Sequence, residues 1–225
     1  MVGARLWQPR LPRTVHGVVR RGGGAAARMA SLAAAQRRRR RVVRSVAHLD
    51  ILGDTPLTRH VVTLSAAILV VGLLGEIYLV VTHGWGMGVG AWMAVYVAAT
   101  VAALPVHELV HAAAFLLLGR GRVCIRFGYE TGMLYTRAEG NPLTRGRFVA
   151  VLLAPSVLVT GALVLVGVLV AGPALAWALA WTHLSGCAGD LAMVVRIART
   201  PGCTHVRDTD TGVELLANDG DGDGA

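Results

Sequence analysis

Apolar residues in this chain fall into four long blocks separated by short polar or glycine-rich stretches. The first, Val61–Val81, has 21 residues and a single charge, Glu76. The second runs for 32 residues from Met87 to Leu118. As one straight helix it would reach about 48 Å, well beyond a hydrocarbon core of ~30 Å. Pro105 lies within it and is expected to kink the helix or break it in two. The third block, Phe148–Ala171, contains Pro155, and the fourth is Ala174–Ile197. Gly84, Gly86, Gly88 and Gly90 mark one turn, and Gly172–Pro173 another. The pattern predicts an all-α membrane protein built as a four-span transmembrane helical bundle.

The polar remainder is short. Residues 120–147 form the one substantial connection, with six arginines and two glutamates. Within it Val123–Gly128 and Met133–Thr136 alternate weakly around Thr131–Gly132, which predicts a short β-hairpin-like element. Val206–Leu216 is expected to give a small strand pair. The organisation read from this is a basic, disordered tail over 1–48, a membrane domain over 49–200, and a tail over 201–225 with an acidic, disordered end from Asn218.

Composition supports the membrane class: 54% of residues are hydrophobic and 16% charged, too apolar for an ordinary soluble domain. The net charge of +9 is local in origin, because residues 1–44 hold 12 of the 22 basic residues and no acidic one. Every basic residue is Arg. The run Arg37–Arg41 lacks interleaved aromatics, so nucleic acid is not an expected partner. Contact with anionic lipid on the cytoplasmic side of the bilayer is. Residues 1–48 contain no apolar stretch suited to a signal-peptide core, and Met29 is a second candidate start. The N-terminal tail, the 120–147 connection and the segment after Ile197 carry arginines, whereas the turns near 84 and 172 carry none. The positive-inside rule then predicts a multi-pass cell-membrane protein with both termini cytoplasmic.

The chemistry concentrates in His107-Glu-Leu-Val-His111. Two histidines four apart on a helix project from one face, and that spacing suits two ligands on one zinc ion with Glu108 beside it as base. Histidine and glutamate are costly inside a membrane, and a metal site would explain them. A third protein ligand is needed, with Asp190, His183, Glu130, Glu139 and Cys187 as candidates. Depth favours Asp190. It lies six residues, about 9 Å, inside the boundary marked by Arg196, and His111 lies eight residues, about 12 Å, inside Gly119. His183 and Cys187 are candidates for supporting that ligand set, His183 by orienting a ligand or bonding a substrate carbonyl. Gly186 and Gly189 are expected to permit close helix approach.

Taken together, Pro105-Val-His-Glu-Leu-Val-His111, the hairpin-like connection, Leu153-Ala-Pro155 and His183-x6-Asp190 resemble a prokaryotic family of membrane zincin peptidases, first catalogued as a domain of unknown function. The resemblance covers roughly residues 60–210. More distantly, the chain is similar to the site-2 protease clan of intramembrane metalloproteases. It implies Zn²⁺ held by His107, His111 and Asp190, with Glu108 as catalytic base and a membrane protein or peptide as substrate. Asp190 lacks the asparagine and Asp-Gly neighbours usual in the distant clan. Two other readings compete: a non-catalytic membrane zinc-binding or transport protein, and a structural protein without metal.

Overall fold

A computed structural model describes residues 43–50, 54–119, 123–130, 133–209 and 212–218. The arginine run at 37–41 and the acidic end after Asn218 lie outside these residues.

Among the described residues, five helices form the body. Helix α1 spans Thr55–His83, capped by the Asp54 carboxylate, which accepts from the Leu57 N–H at 3.4 Å. It ends where Gly84 takes φ 75°, a left-handed value that a side chain would resist. Helix α2 spans Val89–Gly119 without interruption, so Pro105 does not divide it. Helix α3 spans Arg145–Ala171 with Pro155 inside. The fourth apolar block does not form one helix. Cys187 separates α4, Pro173–Gly186, from α5, Ala188–Arg199, giving pieces of 14 and 12 residues. At 1.5 Å per residue neither piece alone crosses ~30 Å. Among the described residues, three helices, α1, α2 and α3, are long and apolar enough to cross a membrane.

Their outward faces carry the signature of lipid contact. Val70, Leu73, Leu74 and Val81 on α1, Leu117 on α2, and Leu165 and Leu169 on α3 are all exposed. An apolar surface of that extent is not tolerated in water. Inside, Trp92, Ala103, Val159, Leu163, Leu175 and Leu179 pack as one cluster between α2, α3 and α4.

Close helix approach occurs at glycines other than Gly186 and Gly189, where an added Cβ would meet nothing within 4 Å. At Gly72 it would strike the Trp181 Cβ at 2.6 Å, at Gly75 the Trp177 ring at 2.4 Å, and at Gly167 the Ala176 Cα at 2.3 Å. The Trp177 Nε1–H also donates to the Gly72 carbonyl at 2.8 Å, tying α1 to α4.

Six strands complete the described fold, so the fold is mostly helical rather than all-α. Strands β2 (Val123–Glu130) and β3 (Met133–Gly140) form an antiparallel hairpin, longer than the alternation indicated. A four-stranded antiparallel sheet has the order β1-β6-β5-β4, from β1 (Val43–Asp50), β4 (Leu143–Thr144), β5 (His205–Asp208) and β6 (Gly212–Asn218). The β5–β6 pair is the one expected over 206–216. The sequence assigned most of β1 to the basic tail, but its strand crosses the boundary at 48 and pairs with β6 from Val43 to Asp50. Val206, Val213 and Leu215 join Phe115, Phe148, Val151 and Ile197 in a second core, which fastens the sheet to the ends of α2, α3 and α5. Full burial of each such side chain is worth ~1.5–3 kcal/mol, so the segment after Arg199 is part of the folded body.

Candidate metal centre

Helix periodicity builds the first half of the site. His107 and His111 stand one turn apart on α2, and their Nε2 atoms lie 3.1 Å from each other. Asp190, in the first turn of α5, brings Oδ2 to 3.3 Å from His107 Nε2 and 3.4 Å from His111 Nε2. The break at Cys187 therefore has a local use. It ends α4 and starts α5 just before Asp190, so the carboxylate sits at a helix start, where negative charge is favoured.

These three atoms form a nearly equilateral triangle, and that shape tests the fit to a metal. A tetrahedral zinc with bonds of ~2.0–2.1 Å holds its ligand atoms about 3.3 Å apart, and the three separations are 3.1, 3.3 and 3.4 Å. The donor set, two imidazole nitrogens and a carboxylate oxygen, suits zinc. Three acceptor atoms converging inside a largely apolar bundle without a cation or protons between them would be costly. The side chains of His107, His111 and Asp190 are 16%, 10% and 20% exposed, so the triangle is largely, though not wholly, enclosed.

Each histidine is oriented from behind. His111 Nδ1 lies 3.2 Å from the Val151 carbonyl on α3. A carbonyl only accepts, so Nδ1 carries the proton and Nε2 presents its lone pair. His107 Nδ1 lies 3.2 Å from His183 Nε2, and His183 Nδ1 lies 2.9 Å from Thr160 Oγ1. With His107 Nε2 on a metal, the proton order along this chain is fixed. His107 Nδ1–H donates to His183 Nε2, and His183 Nδ1–H donates to the threonine oxygen.

Cys187 is buried, with Sγ 3.7 Å from His183 Nδ1 and 3.9 Å from His107 Nδ1. His107, His183 and Cys187 thus make a second group close enough to hold an ion. The two groups would use opposite nitrogens of the same His107 ring. The first has three mutual separations near the tetrahedral edge. In the second, Cys187 Sγ stands 3.9 Å from His107 Nδ1, longer than the edge of about 3.6 Å that bonds of ~2.3 Å to sulfur and ~2.0–2.1 Å to nitrogen would set, so the first is the better site.

Glu108 is half-buried beside His107 and close enough to His111 to interact with it electrostatically. Its backbone carbonyl accepts from Thr136 Oγ1 at 3.0 Å, which fastens β3 to the HELVH turn of α2. The same strand is held from its other neighbour, because the Ala138 N–H donates to Asp208 Oδ2 of β5 at 2.9 Å. Burial pushes the Asp208 carboxyl up to about 6, against the opposing pull of that N–H and of Arg137. Of the remaining sequence candidates, Glu139 pairs with Arg126 Nε at 2.8 Å on the surface, away from the triangle. The Glu130 side chain lies outside the described residues.

Sequence reasoning missed Thr160, Val151, Thr136 and Asp208. A threonine inside an apolar block was the available signal for Thr160. Val151 acts through its backbone, which no side-chain pattern reports.

Residues 100–204 match the model of a family described as putative zincin peptidase. That stretch contains the HELVH turn, the hairpin, Pro155, His183 and Asp190. No curated protein matches the chain, and no solved structure does.

Proposed function

We propose that this chain is a multi-pass membrane zinc metallopeptidase that hydrolyses peptide bonds of membrane-associated protein substrates at a site inside the bilayer. The observation that carries the reading is the triangle of His107, His111 and Asp190 on apolar helices, with Glu108 adjoining it. The family match over 100–204 supports the same chemistry.

His107 Nε2, His111 Nε2 and Asp190 Oδ2 would hold the ion. Its contribution there is Lewis acidity, which polarises the scissile carbonyl and makes a water acidic near neutral pH. Glu108 accepts the proton of the attacking water and delivers it to the departing amine. The Val151 carbonyl and the His183–Thr160 pair keep the two imidazoles in the ligating tautomer. The apolar surroundings exclude bulk water and strengthen each of these interactions.

In the membrane, α1, α2 and α3 cross fully, and α4 with α5 makes a fourth, broken crossing. Both termini and the β2–β3 hairpin then face the cytoplasm, as the arginine distribution requires. Non-helical backbone at membrane depth is tolerated where it lines a site, which is the position of the break at Cys187. The arginines at 37–41 add attraction to anionic lipid.

The test is metal content of the full chain purified in detergent, together with cleavage of a membrane-protein substrate. Wild type should carry about one zinc, and His107→Ala and Asp190→Ala should carry none. Glu108→Gln should keep the zinc and lose cleavage. A Glu108→Gln protein that still cleaves would remove Glu108 as the base, and a wild type that holds zinc but cleaves nothing would remove the catalytic reading and leave a zinc-binding or transport protein. A wild type that neither retains nor takes up zinc would remove both.

A further inference from the structure

In an α-helix each carbonyl is normally taken by the N–H four residues later. For Val151 on α3 that residue is Pro155, which has no N–H and whose ring crowds the carbonyl four residues before it. The carbonyl so released is the one that lies 3.2 Å from His111 Nδ1. Val151 and Pro155 are fully buried, so water has no ready access to the orphaned group. A proline inside a helix ordinarily costs stability. Here the group it unpairs meets the edge of the His111 imidazole that needs an acceptor.

We infer that Pro155 is a positioning residue for the metal centre: by withholding an N–H from the Val151 carbonyl, it reserves that carbonyl for His111 Nδ1–H and so sets His111 Nε2 as a ligand. The inference rests on the zinc reading of His107, His111 and Asp190. It adds a residue of α3 that touches neither metal nor substrate. A carbonyl oxygen has two lone pairs, so restoring the N–H weakens the His111 bond rather than abolishing it. The expected loss is therefore at the lower end of the 10–100-fold seen when partners behind a ligand are removed.

The experiment is a zinc titration of the full chain in detergent against a chelator of known affinity, with melting of the metal-free protein measured alongside. Three proteins are compared: wild type, Pro155→Ala, and a protein carrying lactic acid at 155, introduced by nonsense suppression. The last two differ only in an N–H replaced by an ester oxygen. Pro155→Ala should bind zinc about 10-fold more weakly, while its metal-free melting temperature stays level or rises, since alanine suits a helix better than proline. Lactic acid at 155 should bring the affinity back to within about threefold of wild type. A merely structural proline would lower melting temperature and affinity together, and lactic acid would not restore them. Equal affinity in wild type and Pro155→Ala, or equal weakness in the alanine and lactic acid proteins, overturns the inference and leaves the zinc reading standing. No zinc binding by wild type overturns both. Should Pro155→Ala fail to fold, the lactic acid protein alone decides: near-wild-type affinity supports the inference, and a loss of 10-fold or more overturns it.

Discussion

Replacing His183 by leucine removes the acceptor behind His107 and leaves the shape of the bundle largely intact. The Nδ1–H of a ligating His107 then faces an apolar side chain in place of an imidazole nitrogen at 3.2 Å. An unpaired buried donor costs ~1–3 kcal/mol. The metal-free protein escapes most of that cost, because His107 can move its proton to Nε2 and donate towards Asp190 Oδ2 at 3.3 Å. The penalty therefore falls on the metal-bound form. At about 1.4 kcal/mol per tenfold, it corresponds to zinc bound roughly 5–150-fold more weakly, which brackets the 10–100-fold typical of such partners. His183→Gln can still present an acceptor oxygen and should lose less than His183→Leu. Thr160→Val removes the oxygen 2.9 Å from His183 Nδ1, one step further from the metal, and should cost about threefold. Competition with a zinc chelator measures all three. Wild-type affinity in His183→Leu would refute the proton order drawn through His107, and a greater loss in Thr160→Val than in His183→Leu would refute the chain as a relay of orientation.

Three further outcomes follow from other parts of the fold. Cys187→Ala should retain zinc at wild-type stoichiometry, because the thiol is outside the His107–His111–Asp190 triangle; loss of zinc would move the ion to the His107–His183–Cys187 group. Asp208→Asn keeps an acceptor for the Ala138 N–H and removes a buried charge. The folded chain binds the Asp208 proton more tightly than the unfolded one, with a value of about 6 against 3.8. Wild-type stability should therefore fall as pH rises from about 4 to about 6 and stay level above, an effect of at most about 3 kcal/mol. The asparagine protein should lack this fall and melt higher at pH 7.5, as thermal unfolding in detergent at several pH values would record; a wild type insensitive over that window would refute it. Leu215→Ala, at a fully buried position of β6, should destabilise by ~2–5 kcal/mol and lower the melting of sheet and helices together. Independent melting of the sheet would show that it is not part of the same core.

The amino-acid sequence exposes what is carried by repetition or by unusual cost. Four apolar blocks gave the helical body, and HELVH stood out because its side chains are expensive in lipid. Asp190 could be matched to it by counting residues from the nearest arginines. Beyond that, the signals fade for identifiable reasons. The break at Cys187 has no proline or glycine at its own position, so the fourth block reads as continuous. Strand β1 follows directly on an arginine-rich stretch, and its pairing with β6, some 170 residues away, leaves no local trace. Gly186 and Gly189 attract notice by spacing alone, whereas Gly72, Gly75 and Gly167 acquire meaning only once Trp181, Trp177 and Ala176 are seen against them.

The position of the sheet bears on how the site works. Asp208 on β5 holds the Ala138 N–H of β3, and Thr136 of the same strand holds the carbonyl of Glu108. Two residues apart on β3, both groups are spent on fixing that strand between the sheet and the HELVH turn. Strand β3 is thus anchored on one side by the chain's last strands and on the other by the turn that carries the proposed base. Rotation of the hairpin away from α2 must break the Thr136 bond, and with it a contact at the backbone of Glu108. The hairpin and the turn that carries the proposed base are therefore linked through the backbone of Glu108 rather than through its carboxylate. Those two bonds make the segment from Thr204 to Leu216, remote from HELVH in sequence, part of the support of the candidate metal centre.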